Sequence, residues 1–347
     1  MSIYEIRSSV FMSVLGNPHI EPAMPQNWAK GTLIIGYIFS SVAGQHFGYD
    51  PVRFNGFPPM DYLHPDPNQL CGLSNPNGLE ASMTIADDHT KLGQYPWVVA
   101  LLSKGKFFGG GSLIAPGVVL TAAHLLENRL KADIVVRAGE YDMASHFEPL
   151  TSEERQVASI VRHKEFSYRL GENNIALLFL STPFELKPHI RTICLPSQER
   201  PFREGRCLVS GWGKMAFEEN NSNNYSNILK TVDLTLVTRA VCQDQLRRTR
   251  LGAGYELPVS LICAGGERGK DACLGDGGSA LFCRMEQDPA RFEQIGIVNW
   301  GIGCGQENLP ATYTNVEMFI DWIYQHLAGY HLSSVPLAGH LPLHFRL

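Results

Sequence analysis

Three things are scarce in this 347-residue sequence: long apolar runs, positive charge and closely spaced cysteines. The most apolar run, Thr32–Val42, is shorter than the roughly 20 residues that a membrane-spanning helix needs. Lys and Arg total 29 against 34 Asp and Glu, and this net charge of -5 argues against nucleic acid as the main partner. No CxxC spacing occurs, which argues against a zinc cluster. We therefore expect no metal and no cofactor.

The composition that is present suits a folded, cross-linked chain. Hydrophobic residues make up 44% of the sequence and charged residues 18%, which excludes a disordered protein. The length allows about two domain-sized units at roughly 150 residues each. The eight cysteines are an even number, so an exported protein would form four disulfides.

The N-terminal region has the anatomy of a secretory signal peptide. The apolar run Thr32–Val42 follows Lys30 and ends at Ser41-Val42-Ala43, a small-x-small cleavage signature. Because a signal peptide begins at the start codon, we predict that Met24 is the true start. Residues 1–43 are then an extension plus a signal peptide, and the protein is secreted. A buried segment or a signal anchor is the alternative.

The remaining chain divides by its patterns. Residues 44–78, rich in Pro, Gly and aromatic residues, are interpreted as a linker. From about Gly93 onward, short β-branched runs separated by turn residues predict an all-β barrel or sandwich. Residues 315–327 have apolar side chains at helical spacing and predict one closing amphipathic helix. Residues 328–347 lack periodicity and predict a loose tail.

Two polar segments suggest modification. Residues 218–227 predict a surface loop with N-glycosylation sequons at Asn220 and Asn224, which matter only in an exported protein. The arginines in residues 247–250 could form a processing site for a trypsin-like protease. A solvated basic face is the alternative.

Several motifs in order carry a family resemblance. Thr121-Ala122-Ala123-His124 follows an apolar strand, Gly211-Trp212-Gly213 follows Cys207, and the segment CLGDGGSA precedes Val298-Asn299-Trp300-Gly301. Together they resemble the chymotrypsin-like (S1) serine proteases. The segments CGLSNPNG, VVRAGEYD, ICAGGE and GDGGS are most similar to insect clip-domain serine protease homologues. Upstream of Cys71 the chain has none of the six cysteines of a clip domain, so we expect that module to be absent.

The resemblance implies a fold and a set of cross-links. It implies a protease domain over residues 79–327 made of two six-stranded antiparallel β-barrels, about 84–200 and 201–327, with a C-terminal α-helix. The implied disulfides are Cys71–Cys194, Cys207–Cys283, Cys242–Cys263 and Cys273–Cys304. Gly109 and Leu125 replace both halves of one further family disulfide.

The catalytic triad implied by the resemblance is incomplete. The family uses a Ser nucleophile, a His base and an Asp that holds the His in the required tautomer. His124 matches the base, but Gly277 occupies the Ser position and Asn174 the Asp position. Glycine offers no nucleophile, and in this family an Asp→Asn change lowers turnover by about 10⁴ through the wrong tautomer. Ser279, two residues further on, is predicted not to substitute.

The activation machinery also departs from the family pattern. Family zymogens are cut after a basic residue, and the new ammonium pairs with the Asp that matches Asp276. Residues 82–87 contain no basic residue and no glycine pair. We therefore expect backbone N–H groups around the Asp276 carboxyl group, since a buried carboxylate must find hydrogen bonds or raise its pKa.

A binding cleft is the feature that the resemblance leaves. Asp271 matches the acidic base of a trypsin-like specificity pocket, and Trp300 and Gly301 match its wall. Ala311 stands where the family has a glycine and should narrow the slot. The amides that match the oxyanion hole are those of Gly275 and Gly277. Weak, non-productive binding of basic peptides is one hypothesis, and a closed relic pocket is the other.

Three functions compete at this point. The first is a secreted, catalytically inactive protease homologue that acts as a binding or regulatory cofactor in an extracellular proteolytic cascade, for which the resemblance implies prophenoloxidase activation or innate immunity. Its partners would be extracellular proteases or zymogens, with no nucleic acid and no membrane span. The second is a serine endopeptidase with residual trypsin-like activity. The third is an extracellular structural or adhesion protein.

Overall fold

The structure is a computed structural model that describes residues 71–80, 89–145, 147–196, 205–214 and 225–334. The predictions on the signal peptide, on linker residues 44–70, on the activation segment 82–87 and on the sequons at Asn220 and Asn224 lie outside these residues.

The first half of the domain is a closed six-stranded antiparallel barrel. Its strands have the spatial order β1-β2-β3-β6-β5-β4. In β4 the side chains of Ile134, Val136 and Ala138 are buried and those between them are partly exposed, because successive side chains of a strand point to opposite faces. The strands are β1 (Val98–Ser103), β2 (Lys106–Ala115), β3 (Val118–Thr121), β4 (Ile134–Ala138), β5 (Glu153–Arg162) and β6 (Ala176–Leu180).

The second half is another closed barrel of the same size. Its strands have the order β10-β11-β12-β9-β8-β7, and all their pairings are antiparallel. The strands are β7 (Arg206–Gly211), β8 (Lys230–Val237), β9 (Leu261–Gly265), β10 (Ala280–Arg284), β11 (Phe292–Trp300) and β12 (Pro310–Asn315), and helix α1 (Arg239–Arg247) lies between β8 and β9. The predicted all-β fold of two six-stranded barrels is confirmed.

The C-terminal helix is longer than its sequence pattern predicts. A 3₁₀ turn over Val316–Phe319 leads into α2 (Ile320–Ser334). Ile320, Ile323 and Leu327 are buried, so the predicted amphipathic face is present. The prediction of a loose tail from residue 328 is wrong over 328–334, because each added residue of an established helix gains one backbone hydrogen bond. In the described part of the chain, no helix is both long enough and apolar enough to cross a membrane.

An aromatic cluster joins the two barrels. Trp97 and Tyr95 precede β1, and Phe282 and Phe292 belong to β10 and β11. The ring centroids of Trp97 and Phe282 lie 5.3 Å apart in an edge-to-face arrangement, and both side chains are fully buried. Such pairs contribute beyond the area that they bury. The cluster packs residues of the two barrels directly against each other, within a larger buried core that both barrels share.

All eight cysteines are paired, in the combinations that the family resemblance implies. Cys71–Cys194 holds the segment of residues 71–80 on the protease domain. Arg291 reinforces this attachment, since its side chain donates to the carbonyl oxygen of Cys71 at 2.8 Å. The other three disulfides lie within the second barrel and its loops.

The interbarrel cluster generates a stability prediction. Phe282→Ala should lower the free energy of unfolding by about 3–5 kcal/mol, because it leaves a cavity among rings that cannot collapse onto it. The matched control is Phe147→Ala, whose ring is 95% exposed and whose removal should change stability by less than about 0.5 kcal/mol. Urea unfolding of both variants measures this difference. Equal midpoints would show that the cluster does not hold the barrels together.

Candidate functional site

Three chain segments bring the predicted site residues together between the barrels. His124 lies in the 3₁₀ turn Ala123–Leu126 that follows β3. Asn174 lies just before β6, and Gly277 lies in the turn that leads into β10. A Cβ atom built on Gly277 would lie 3.2 Å from Nε2 of His124. The structure therefore places Gly277 next to His124, with no side chain between the imidazole and the Gly277 backbone.

Asn174 holds the imidazole of His124 through a network that backbone groups orient. The backbone N–H of His124 donates to Oδ1 of Asn174 at 2.9 Å. On the other side of the amide, Nδ2 of Asn174 lies 2.8 Å from Nδ1 of His124 and donates to Oδ1 of Asn299 at 2.6 Å. Asn299 is oriented in turn by its own Nδ2, which donates to the carbonyl oxygen of Gly171 at 2.7 Å.

This network determines which ring nitrogen of His124 carries the proton. A backbone N–H can only donate, so the atom of Asn174 that faces it must be the carbonyl oxygen, and the amide nitrogen must face the imidazole. An amide nitrogen has no lone pair to offer, so Nδ1 of His124 has to accept and cannot carry a proton. The proton of the neutral ring is therefore on Nε2. This is the opposite of the tautomer that a triad aspartate enforces.

Burial keeps this imidazole neutral. The pKa of His124 is lowered from its ordinary value, chiefly because burial disfavours the charged ring. A second proton on Nδ1 would also place one N–H against another. At neutral pH, His124 presents a hydrogen-bond donor at Nε2, where a protease needs an acceptor for the serine proton.

Ser279 does not take the place of the missing nucleophile. Its side chain is buried, and its hydroxyl has no hydrogen-bond partner among the described residues, His124 included. The hydroxyl points at Gly110, where an added Cβ would come within 2.1 Å of it. The predicted failure of Ser279 to substitute agrees with this geometry.

Leu125 fills the space of the disulfide that the family has beside the histidine. A Cβ on Gly109 would meet the Leu125 side chain at 2.6 Å, and a Cβ on Gly278 would meet it at 2.7 Å. The two replaced cysteine positions are thus complementary in volume: one became smaller and the other larger. Close packing is kept beside His124 without the cross-link.

Asp276 has the backbone donors that the sequence led us to expect. Its Oδ1 accepts from the N–H of Gly213 at 2.8 Å and its Oδ2 from the N–H of Cys273 at 3.0 Å. Burial raises the pKa of this carboxyl group to about 6 in spite of these bonds. Gly211 and Gly213 leave room for it, since a Cβ on either would lie within 2.4 Å of its oxygens.

The residues matched to the specificity pocket form an acidic, partly unsatisfied site. Oδ2 of Asp271 accepts from the N–H of Gly305 at 2.9 Å, whereas the buried Oδ1 has no partner among the described residues. The hydroxyl of Tyr313, fully buried, also lacks one. Burial raises the pKa of Asp271 to about 6, so the carboxyl group is mostly ionised at neutral pH.

The wall of this pocket carries the extra methyl group. Ala311 is buried, and its Cβ lies 3.6 Å from the point that a Cβ on Gly301 would occupy. The slot is therefore narrower by one methyl than a glycine would leave it. Within the described ranges, no group of three His, Cys, Asp or Glu side chains is arranged to hold a metal ion.

Sequence reasoning missed the loop that crosses the cleft. The turn over residues 167–172 of the first barrel bonds to β11 of the second. Nε1 of Trp300 donates to the carbonyl oxygen of Leu170 at 3.3 Å, next to the bond from Asn299 to Gly171. A Cβ on Gly171 would lie 2.6 Å from the Trp300 indole, so only glycine allows this approach. That missing side chain was the one signal in the sequence.

The tautomer generates a prediction about restoring chemistry. Gly277→Ser alone should not react with a fluorophosphonate, because Nε2–H cannot take the proton of the new serine. Adding Asn174→Asp and Asn299→Ser should restore labelling. The carboxylate at position 174 moves the imidazole proton to Nδ1, and the hydroxyl at position 299 replaces the amide oxygen of Asn299, which would repel that carboxylate. The expected rate difference is about 10⁴.

The control for this series is the triple variant with His124→Ala, which should not react. Rapid labelling of the single Gly277→Ser variant would show that Asn174 does not impose the inactive tautomer.

The comparisons with known proteins agree with the fold and the motifs. The sequence profile described as Trypsin matches residues 85–323. Phenoloxidase-activating factor 2 of Galleria mellonella is 41% identical over 293 residues, which cover 78% of this chain and 95% of that protein. Inactive CLIP domain-containing serine protease A28 of Anopheles gambiae is 36% identical over 276 residues, which cover 78% of this chain and 71% of that protein. Anionic trypsin of Canis lupus familiaris is 34% identical over 262 residues, which cover 72% of this chain and 94% of that protein. With two closed barrels and this profile match, the chain belongs to the trypsin family.

Proposed function

We propose that this protein is a catalytically inactive, secreted member of the trypsin family that regulates an extracellular proteolytic cascade by binding its components. The observation that carries the proposal is the hydrogen-bonded pair of His124 and Asn174 facing Gly277. No side chain there can attack a peptide bond, and the histidine offers a proton instead of accepting one.

The missing serine hydroxyl and the altered tautomer of His124 both affect nucleophilic attack on the peptide bond. A family member without the serine hydroxyl forms no acyl-enzyme, and a misoriented imidazole tautomer gives no general-base catalysis. What is left is non-covalent contact with a peptide, from the matched oxyanion amides and the acidic pocket. The triad residues act as one unit, so loss of the serine hydroxyl alone removes nearly all of their joint effect, and the tautomer of His124 adds little further loss.

The names of similar proteins support the regulatory half of the proposal. One relative is named a phenoloxidase-activating factor, and others are named inactive CLIP domain-containing serine proteases. The match to the activating factor covers 95% of that protein at 41% identity. By this similarity we assign the protein to a cascade of the phenoloxidase-activating kind, with proteases or zymogens as its partners.

The two alternatives have less support. A residual endopeptidase would need a nucleophile near His124, and Ser279 points away from it into the packing around Gly110. A structural or adhesion protein would not need an ionised carboxyl group such as that of Asp271 in the cleft. Such a role would also have to rest on segments beyond the protease domain.

Inactivity with retained cascade function is directly testable. The full chain is treated with excess fluorophosphonate, and the unreacted reagent is then removed. The treated chain is added to extracellular fluid from which an antibody has removed the protein's natural copy. We expect no labelling, no hydrolysis of Arg-containing peptide substrates and full recovery of elicited phenoloxidase activity. The matched control is the Gly277→Ser, Asn174→Asp, Asn299→Ser variant, which the reagent should label. Loss of recovery after treatment of the natural chain would show that its function depends on a reactive serine.

Secretion has its own test. Expressed from Met24 in insect cells, the chain should appear in the medium with a new N-terminus at Gly44, as read by N-terminal sequencing, because small residues precede that bond. The control is Ile35→Asp, which interrupts the apolar run and should keep the chain inside the cell. Retention of the unaltered chain in cells would contradict the proposed localisation.

A further inference from the structure

The centre around His124 and Gly277 presents hydrogen-bond donors for which the described residues supply no acceptor. Nε2–H of His124 faces Gly277, which has no side chain to receive it. The backbone N–H groups of Gly275 and Gly277 donate to no acceptor among the described residues, although the neighbouring N–H groups of Asp276 and Gly278 do. Unused donors of this kind favour an acceptor ligand, because a polar group left unpaired on desolvation is costly.

The frame around these donors is fixed. The Gly275 N–H shares its peptide plane with the carbonyl oxygen of Leu274, which accepts from the N–H of Lys214 at 2.8 Å. The Gly277 N–H shares its plane with the carbonyl oxygen of Asp276, which accepts from the N–H of Ser279 at 2.9 Å. The peptide planes that carry the unused amides therefore cannot rotate freely. The ring of Tyr225 packs against Gly275, where a Cβ would lie 2.7 Å from it. The donors are preorganised, which lowers the cost of binding.

The carboxylate of Asp271, on the same segment as Gly275 and Gly277, is an acceptor that is not fully used. Oδ1 of Asp271 and the hydroxyl of Tyr313 are both buried and have no hydrogen-bond partner in the described part of the chain. Asp271 and Gly277 lie on one short segment, which the Cys273–Cys304 disulfide ties to the loop before β12. A ligand that satisfies both ends needs an acceptor at His124 and a cation at Asp271.

We propose that this centre binds, without cutting, the free C-terminus of a peptide that ends in Arg or Lys. One carboxylate oxygen accepts from the amides of Gly275 and Gly277, the other accepts from Nε2–H of His124, and the basic side chain reaches Asp271. The inference rests on the proposed function, since it requires that the centre does not hydrolyse peptides.

The tautomer explains why a terminal carboxylate is favoured over an internal peptide bond. An internal bond has a single oxygen, which the two glycine amides satisfy, and its nitrogen carries a hydrogen. That N–H would face Nε2–H of His124, donor against donor. A carboxylate instead brings a second oxygen to the same place, and the missing hydroxymethyl group at Gly277 leaves room for it. Charge-assisted hydrogen bonds of this kind are the strong ones.

The ligand is the product of a particular reaction class. Hydrolysis of a peptide bond after Arg or Lys by a trypsin-like protease creates a basic residue with a free carboxylate. A protein that binds this end and ignores the uncut chain would detect that cleavage has occurred. Ala311 narrows the slot for the basic side chain, so Ala311→Gly should strengthen binding.

The experiment measures fluorescence anisotropy of two labelled peptides with the full chain at neutral pH. The probes are fluorescein-Gly-Ser-Gly-Ala-Arg with a free carboxylate and the same peptide with a C-terminal amide. We expect the acid to bind about tenfold more tightly, the size of one charge-assisted hydrogen bond. Fluorescein-Gly-Ser-Gly-Ala-Ala with a free carboxylate should bind more weakly than the Arg acid, because it cannot reach Asp271.

Variants assign the preference to the centre. Asn174→Asp moves the ring proton to Nδ1 and turns Nε2 into an acceptor, which should abolish the preference for the acid. Asn128→Asp adds the same charge at an exposed position with a positive φ that aspartate tolerates, and it should keep the preference. His124→Phe removes the donor without adding charge and should also abolish it, even if Asn174→Asp folds poorly.

Equal affinity for acid and amide, no binding at millimolar concentration, or a preference that survives both Asn174→Asp and His124→Phe would overturn this inference. A loss of the preference in Asn128→Asp would assign the effect to bulk charge and overturn it as well. Fluorophosphonate labelling of the natural chain would instead overturn the proposed function, so the two failures can be told apart.

Discussion

The chemistry of this centre depends on a single backbone N–H group, that of His124. Because this group can only donate, it fixes the orientation of the Asn174 amide, and the amide fixes the protonation of the imidazole. Asn299 closes the arrangement from the second barrel, itself fixed by the carbonyl oxygen of Gly171. An aspartate would have accepted from both the backbone and the ring. The substitution of one oxygen by one NH₂ group therefore reverses the polarity of the centre.

The fold around this centre is closely packed and cross-linked. Leu125 occupies the volume of a lost cross-link against Gly109, and the barrels remain joined by the Trp97–Phe282 pair. All eight cysteines are paired. Close packing tolerates few voids, so the chain keeps the packing and cross-links of a trypsin-family domain with Gly277 and Asn174 beside His124.

The sequence predicts those features whose signals are local. Alternating burial along β4 and helical spacing over residues 315–327 follow from side-chain direction, and short motifs identify the positions of His124 and Gly277. The extension of α2 to Ser334 escaped prediction because the residues after Leu327 show no apolar period and include Gly329, which lowers helix propensity by about 1 kcal/mol relative to Ala.

Features that arise from contacts between distant segments could not be foreseen in this way. In the sequence, Asn299 is simply a polar residue in an apolar strand, and only the fold shows that its oxygen contacts Asn174. In the same way, the unsatisfied oxygen of Asp271 can be recognised only from the positions of its neighbours. The tautomer of His124 belongs to the same class. Residue types at the triad positions predict a defect, whereas the direction of the defect requires knowing which atom of Asn174 faces the ring.

The most direct test of this account is long-range ¹H–¹⁵N NMR of the full chain with ¹⁵N-labelled histidine, recorded at neutral pH. The His124 resonances are assigned by their loss in His124→Gln. The account predicts that Nε2 is protonated and Nδ1 is not. A proton on Nδ1, or a doubly protonated ring, would contradict it, because the Asn174 amide could then not be oriented by the backbone as the structure has it.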